Sequence, residues 1–289
     1  MKKLIEGLHR FHAGYFESHK ELFEKLSHGQ HPRILFITCS DSRIDPNLIT
    51  QADVGDLFVI RNAGNIVPPY GATNGGEGAS IEYAITALGI EHVIVCGHSH
   101  CGAMKGLLKM SKLEEQMPLV YEWLKQAEAT RRLLKDNYSH LSNEEVLPIA
   151  IAENVLTQLE NLATYPVIRS KLYQGKLALH AWVYNIESGD VFAYDPVSHD
   201  FVDLETRNAP PEFIYDLKPT NYHRTLPNNS VGQTINNSRV SQNNLNSSQM
   251  TEKLQETNKP PAPAFAENYP RSNRLSPEQA ERIYRGSYS

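Results

Sequence analysis

The sequence predicts an α/β fold: a central, mostly parallel β-sheet flanked by helices, with an N-terminal helical arm before it and a disordered C-terminal extension after it. Three observations carry this. Ile34-Leu35-Phe36-Ile37, Leu57-Phe58-Val59-Ile60 and His92-Val93-Ile94-Val95-Cys96 are nearly continuous apolar runs rather than alternating ones, the pattern of strands buried on both faces of a parallel sheet. Between the second and third, Glu77 to Ile90 places Ile81, Ala84, Ile85 and Leu88 on one helical face, and strand–helix–strand alternation is the mark of an α/β architecture. Near Pro219 the composition changes from that of a core-forming chain to Asn, Ser, Gln, Thr and Pro without periodicity.

Taken in order, residues 3–28 space Leu4, Leu8, Phe11, Tyr15, Leu22 and Leu26 helically among charged positions. This is an amphipathic arm whose apolar stripe needs another surface to cover it. Gly29-Gln30-His31-Pro32 ends it. After the third strand, helical stretches are expected at about 102–112, 118–136 and 143–163, and then a hairpin from Leu177 to Tyr194 turning at Glu187-Ser188-Gly189-Asp190. The stretch from Asn221 to Pro270 carries too few aliphatic residues to offset the entropy of ordering it. Leu275-Ser276-Pro277-Glu278-Gln279 then has a Ser N-cap, Pro at the first helical position and Gln shortly after, the start of a short helix. The expected organisation is therefore an arm over 1–32, an α/β catalytic domain over 33–218, a linker over 219–270 and an anchor helix over 271–289.

Charge and composition exclude several classes. A net charge of −5 without a basic stripe gives no electrostatic case for a nucleic-acid partner. No apolar stretch approaches the roughly 20 residues that a membrane span requires. Met1-Lys2-Lys3-Leu4 has the charge of a signal peptide, but Glu6, His9 and Arg10 interrupt its apolar part, so a mature cytosolic start is expected. The three cysteines, Cys39, Cys96 and Cys101, are odd in number and sparse. They fit a reducing compartment and metal ligation better than a disulfide framework.

Two segments concentrate the chemistry, Thr-Cys-Ser-Asp-Ser-Arg (38–43) and Gly-His-Ser-His-Cys-Gly (97–102), each at the end of an apolar strand-like run. Cys39, His98 and Cys101 make two thiolates and an imidazole, a tetrahedral zinc set with one position open, which distinguishes a catalytic site from a structural one. Cys96, embedded in Val-Ile-Val-Cys-Gly, reads as a buried thiol. His100 ranks behind His98 as a ligand and fits a neighbouring or solvent-facing role. Asp41 and Arg43 are spaced for a charge-assisted, bidentate pair in which Asp41 accepts a hydrogen bond from water at the open position. The bland alternative, a helix cap, is available to Asp45-Pro46 instead.

These residues resemble the β-class carbonic anhydrases. The resemblance covers roughly residues 20–205 and rests on Cys-Ser-Asp-Ser-Arg (39–43), Val-Ile-Arg-Asn-Ala-Gly-Asn (59–65), Gly-Ala-Ser-Ile-Glu-Tyr-Ala (78–84), Gly-His-Ser-His-Cys-Gly (97–102) and Glu-Asn-Val (153–155). It implies one zinc ion on Cys39, His98 and Cys101, an Asp41–Arg43 catalytic dyad, and reversible hydration of carbon dioxide to bicarbonate and a proton. It further implies that Gln30 hydrogen-bonds bicarbonate from across a subunit boundary, that Phe58 and Tyr83 line an apolar cleft, and that Gly102 lets its backbone approach the reacting oxygen. For Phe58 and Tyr83, plain core packing explains the residue types equally well. Phe36 stands where some bacterial members carry a Trp of a non-catalytic bicarbonate site, and Val-Pro-Pro-Tyr (67–70) is similar to the plant-like branch, so an open site is expected. The family's homodimers, joined into larger oligomers, would give the arm its surface. The long C-terminal region is similar to that of cyanobacterial enzymes packaged in carboxysomes, which implies recruitment to a shell-associated scaffold protein and a supply of carbon dioxide for fixation. Hydrolysis of carbon disulfide or carbonyl sulfide, and a non-catalytic zinc-stabilised scaffold, are the competing readings.

Overall fold

The computed structural model describes residues 1–73 and 75–204. The end of the expected catalytic domain (205–218), the expected disordered linker (219–270) and the expected anchor helix (271–289) lie outside the described residues.

The arm is helical, as α1 (Lys2–Arg10), a π-helical segment (Phe11–Phe16) and α2 (Lys20–Ser27). None of these buries a residue, and Leu4, Leu8 and Phe11 are 65%, 67% and 45% exposed. Rings of Phe11, Tyr15, Phe16 and Phe23 cluster among themselves. Apart from Leu26, which lies against Gly55, the arm's apolar stripe is thus left largely exposed among the described residues.

Six strands follow: β1 (Ile34–Cys39), β2 (Leu57–Asn62), β3 (His92–His98), β4 (Ala178–Tyr184), β5 (Val191–Asp195) and β6 (Asp200–Asp203). They form one sheet in the order β2-β1-β3-β4-β5-β6, parallel through β4 and antiparallel beyond. The expected α/β fold is therefore present. β1 to β3 each run two residues beyond the apolar core of their sequence signal, so Cys39 and His98 are the last residues of their strands.

Some expectations need correction. β2 was expected to be buried on both faces, but it lies at the sheet edge and leaves Val59 37% exposed. The helix expected to reach Ile90 is α4 (Gly76–Thr86), which stops earlier because Gly89 takes a left-handed φ of 67° before β3. The 102–112 stretch divides after α5 (Gly102–Leu107), and α6 (Leu113–Gln116), α7 (Pro118–Leu124) and α8 (Glu128–Asn137) break up 113–137. Short helices α3 (Pro46–Thr50) and α10 (Pro166–Tyr173) and strand β6 went unpredicted; Pro at the first turn begins both helices.

One long helix, α9 (Asn143–Ala163), sits under the parallel part of the sheet and buries residues along most of its length. It starts with a capping box in which Ser142 Oγ accepts from Glu145 N and Glu145 Oε2 accepts from Ser142 N. β3 approaches it so closely that a Cβ on Gly97 would lie 2.8 Å from Val155 and 3.1 Å from Ile151. A buried polar ladder on α9 fixes the loop after β2. Asn154 Nδ2 donates to Gly64 O (3.0 Å), Gln158 Nε2 to Asn154 Oδ1 (2.9 Å), Val67 N to Gln158 Oε1 (2.8 Å), and Asn161 Nδ2 to Val67 O (2.9 Å). Replacing Asn154 by alanine strips fully buried partners from this ladder. Expected is a loss of about 2–3 kcal/mol of stability, read as a lower urea midpoint at constant m-value.

The opposite face of the sheet carries a smaller cluster, Phe36, Ile94 and Cys96 against Ile34, Trp182 and Tyr184. A cleft of about 510 Å³ opens beside it, lined in part by His31, Arg33, His92 and Trp182.

Candidate metal centre

The site forms where the sheet order reverses. β2 lies on one side of β1 and β3 on the other, so β1 and β3 flank a switch point at their carboxyl ends, the usual location of ligands in open α/β sheets. Cys39 ends β1, His98 ends β3, and Cys101 immediately precedes α5. Their Sγ and ring nitrogen atoms all lie within 4.8 Å of one another, and all three residues are buried. The folding thus joins two segments distant in sequence into one group able to hold a metal ion.

The hydrogen bonds around the group orient it for ligation. His98 Nδ1 lies 2.9 Å from Ser99 O, and a carbonyl can only accept, so the ring proton sits on Nδ1. The Nε2 lone pair is left free, and Nε2 is buried without a partner, which is costly unless a cation occupies the group. Gly64 N donates to Cys39 Sγ at 3.4 Å, with Gly64 at a φ of 85° that favours glycine. The Cys39 thiol is brought down to about 4, chiefly by a hydrogen bond from the Cys101 thiol and further by the Gly64 amide. Cys101 is driven the other way by its bond to Cys39 and by burial. A buried pair of thiols that favours one thiolate, beside an aimed imidazole, fits a soft divalent cation, which favours both thiolates.

Asp41 and Arg43 meet in a bidentate pair: Arg43 Nε donates to Oδ1 at 2.9 Å and Nη2 to Oδ2 at 2.7 Å, while Arg43 N also donates to Oδ1 at 3.0 Å. This guanidinium holds the Asp41 carboxyl far below the usual carboxylate range. Asp41 Oδ2 lies 3.9 Å from His98 Nε2, so the carboxylate borders the ligand group while remaining tied to Arg43. The helix-cap alternative falls to Asp45, whose Oδ1 accepts from Leu48 N at the start of α3. Gly102 opens α5, and a Cβ built there meets nothing within 4 Å.

The other expected site residues are not brought to the group within one chain. Phe58 pairs in register with Leu35, four residues before Cys39, roughly 13 Å along the strand. It is half-buried and packs on exposed Tyr83, ring centroids 6.1 Å apart. Gln30 is exposed in the segment before β1, beyond the amino end of the strand that Cys39 terminates. Gln30, Phe58 and Tyr83 thus belong to the opposite end of the sheet from Cys39, His98 and Cys101. The two discounted competitors also stay outside the group. The Cys96 thiol is buried and pushed up to about 12 by that burial, and the His100 ring bonds Glu187 instead.

Sequence reasoning missed three residues that shape the site. Arg61 donates from Nε to Cys39 O (3.1 Å) and from Nη2 to Asp41 O (2.8 Å), stapling the backbone between ligand and dyad. Asn154 acts on Cys39 through Gly64, and Glu187 holds Ser99 and His100. Arg61 and Asn154 lie within the motifs quoted above; Glu187 read only as part of a turn.

Comparison with known proteins gives the class. A family model described as carbonic anhydrase matches residues 34–191. A carbonic anhydrase of Synechocystis is 58% identical over 99% of this chain and 100% of its own length, and one of Synechococcus elongatus is 52% identical over 100% of both. Among solved structures, the β-carbonic anhydrase CcaA is 68% identical, with a TM-score of 0.70 over 72% of this chain and 93% of that one. One of two tetrameric β-carbonic anhydrases from the ascomycete Sordaria macrospora is 28% identical, with a TM-score of 0.60 over 66% of this chain and 95% of that one. The chain belongs to the β-carbonic anhydrase family.

Proposed function

We propose that this protein is a zinc enzyme that hydrates carbon dioxide reversibly to bicarbonate and a proton. The observation that carries the reading is the buried Cys39–His98–Cys101 group with a free His98 Nε2 beside a bidentate Asp41–Arg43 pair. Cys39, His98 and Cys101 would hold the zinc. When bound, the metal supplies Lewis acidity that makes water nucleophilic near neutral pH. Arg43 keeps Asp41 ionised and fixed in direction, so Asp41 can only accept a hydrogen bond and selects one orientation of the attacking water. The open space at Gly102 leaves room for the bicarbonate oxygens beside a helix-terminal N–H.

Gln30, Phe58 and Tyr83 complete the site from a partner subunit. Their place at the far end of the sheet supports this, because a two-fold partner can bring that end against the ligand group. The uncovered arm, α1 and α2, supports the same homodimer, and the tetrameric Sordaria relative supports further assembly. Gln30 would then donate to bicarbonate, while Phe58 and Tyr83 offer an apolar path to an uncharged substrate.

Purified protein should accelerate carbon dioxide hydration in a stopped-flow indicator assay and lose that activity on zinc chelation. Activity confined to carbon disulfide or carbonyl sulfide would select the alternative hydrolase. A zinc-loaded protein inert towards all three would make it a scaffold subunit.

We further infer a carboxysomal location, with 33–218 as the catalytic domain and 219–289 as a tether to a shell-associated scaffold protein. Support comes from two cyanobacterial relatives aligned over essentially the whole chain, tail included, and from the polar, Pro-rich composition of that tail. Among the described residues no helix is long and apolar enough to cross a membrane. A fluorescent fusion lacking 219–289 is expected to spread through the cytosol instead of forming puncta while keeping its zinc; unchanged puncta would refute the tether.

A further inference from the structure

Ser99 to Cys101, the connection that follows ligand His98 at the end of β3 and brings ligand Cys101 to the start of α5, has no helix or strand of its own to hold it.

 It is shaped instead by what its side chains reach. Ser99 N donates to Tyr184 O (2.9 Å), and Ser99 Oγ accepts from Ile186 N (3.0 Å). Ser99 Oγ in turn donates to Glu187 Oε2 at 2.8 Å, and the His100 ring nitrogen Nε2 bonds Glu187 Oε1. One carboxylate in the turn between β4 and β5 therefore grips both residues that separate ligand His98 from ligand Cys101. His100 takes a left-handed φ of 56°, a conformation that a residue with a Cβ adopts at a cost and keeps only when its surroundings impose it. That backbone reversal turns the chain from the end of β3 to the start of α5, and so sets the separation of His98 and Cys101.

We propose that Glu187 is a positioning residue for the metal centre, clamping Ser99 and His100 so that the loop holds His98 and Cys101 in ligating geometry before the metal arrives. It touches neither ligand and acts through the two residues between them. The inference rests on the zinc reading above and adds a determinant of how firmly the ion is kept. Groups hydrogen-bonded directly to the ligands typically change metal affinity about 10–100-fold when lost, and Glu187, acting through Ser99 and His100, belongs at the lower end of that range.

The test is zinc release from the purified, zinc-loaded full chain to a chromogenic chelator, compared among wild type, Glu187→Ala and Glu187→Gln. Glu187→Ala should release zinc about tenfold or more faster. Glu187→Gln should stay within about threefold of wild type, because its amide oxygen can accept from Ser99 and its amide nitrogen can donate to the His100 ring. Thermal unfolding of the three metal-free proteins should coincide, which separates loop positioning from a general loss of stability. Equal release by Glu187→Ala and wild type would overturn the inference, as would equal acceleration in both variants. Zinc missing from wild-type protein would instead overturn the metal reading on which the inference stands.

Discussion

Replacing Cys39 by alanine is expected to abolish stoichiometric zinc binding and, with it, carbon dioxide hydration. Among the described residues three buried side chains form the ligand group, and the nearest further donor, Asp41, is tied to Arg43. Cys96, the remaining thiol, lies outside the group and is held protonated by burial. Cys39 is also the thiol that the protein prepares for ionisation, through Cys101 and the Gly64 amide. Removing it leaves Cys101 and His98, too few donors for a tetrahedral ion that needs three from the protein. Metal analysis should give well under one zinc per chain, and the stopped-flow rate should fall by at least about 10³-fold, towards the buffer rate. Full zinc content with full turnover would refute the assigned ligand set.

Arg43→Ala should cost about 10²-fold or more in kcat/KM while leaving zinc content intact. The guanidinium is the main cause of the lowered Asp41 pKa and makes both side-chain contacts that orient the carboxylate. Without it Asp41 is free to rotate towards His98, only 3.9 Å away, and so towards the metal position. Arg43→Lys should recover only part of the loss, because an ammonium is a point charge and cannot make the two parallel bonds of the fork. Arg43 is half-exposed, so protein stability should hardly change. Steady-state kinetics with metal analysis in parallel separates this from ligand loss, and wild-type kcat/KM in Arg43→Ala would remove the dyad from the mechanism.

Much of the architecture was legible because the relevant signals are local. The apolar runs of β1 and β3 and the period of α9 follow from which residues must be buried, and burial sets periodicity directly. The exposure of Val59 was not legible, since a run of apolar residues does not say whether its strand is central or at an edge; strand order is decided by packing. α10 is short and follows α9 after only a brief turn, so its own period is too weak to stand out. In the site, Cys39, His98, Cys101, Asp41 and Arg43 were visible as residue types at strand ends. Glu187 was not, because its relation to Ser99 and His100 depends on β4 lying beside β3, a pairing that spans 80 or more residues of intervening chain. The place of Gln30, Phe58 and Tyr83 was likewise hidden. A single chain's sequence gives their types but not that the strand register carries them to the end of the sheet away from Cys39.

The reach of the ligand loop into the β4–β5 turn bears on the order in which the protein is completed at the ribosome. Cys39, His98 and Cys101 have all been synthesised once residue 101 is made, yet Ser99 takes its backbone partner from Tyr184 and its side-chain partners from Ile186 and Glu187. A nascent chain that stops before β4 has every metal donor and lacks the frame that holds two of them. A site framed in this way would take its metal only after the last parallel strand has emerged, and a half-built site would be a poor trap for an incorrect ion.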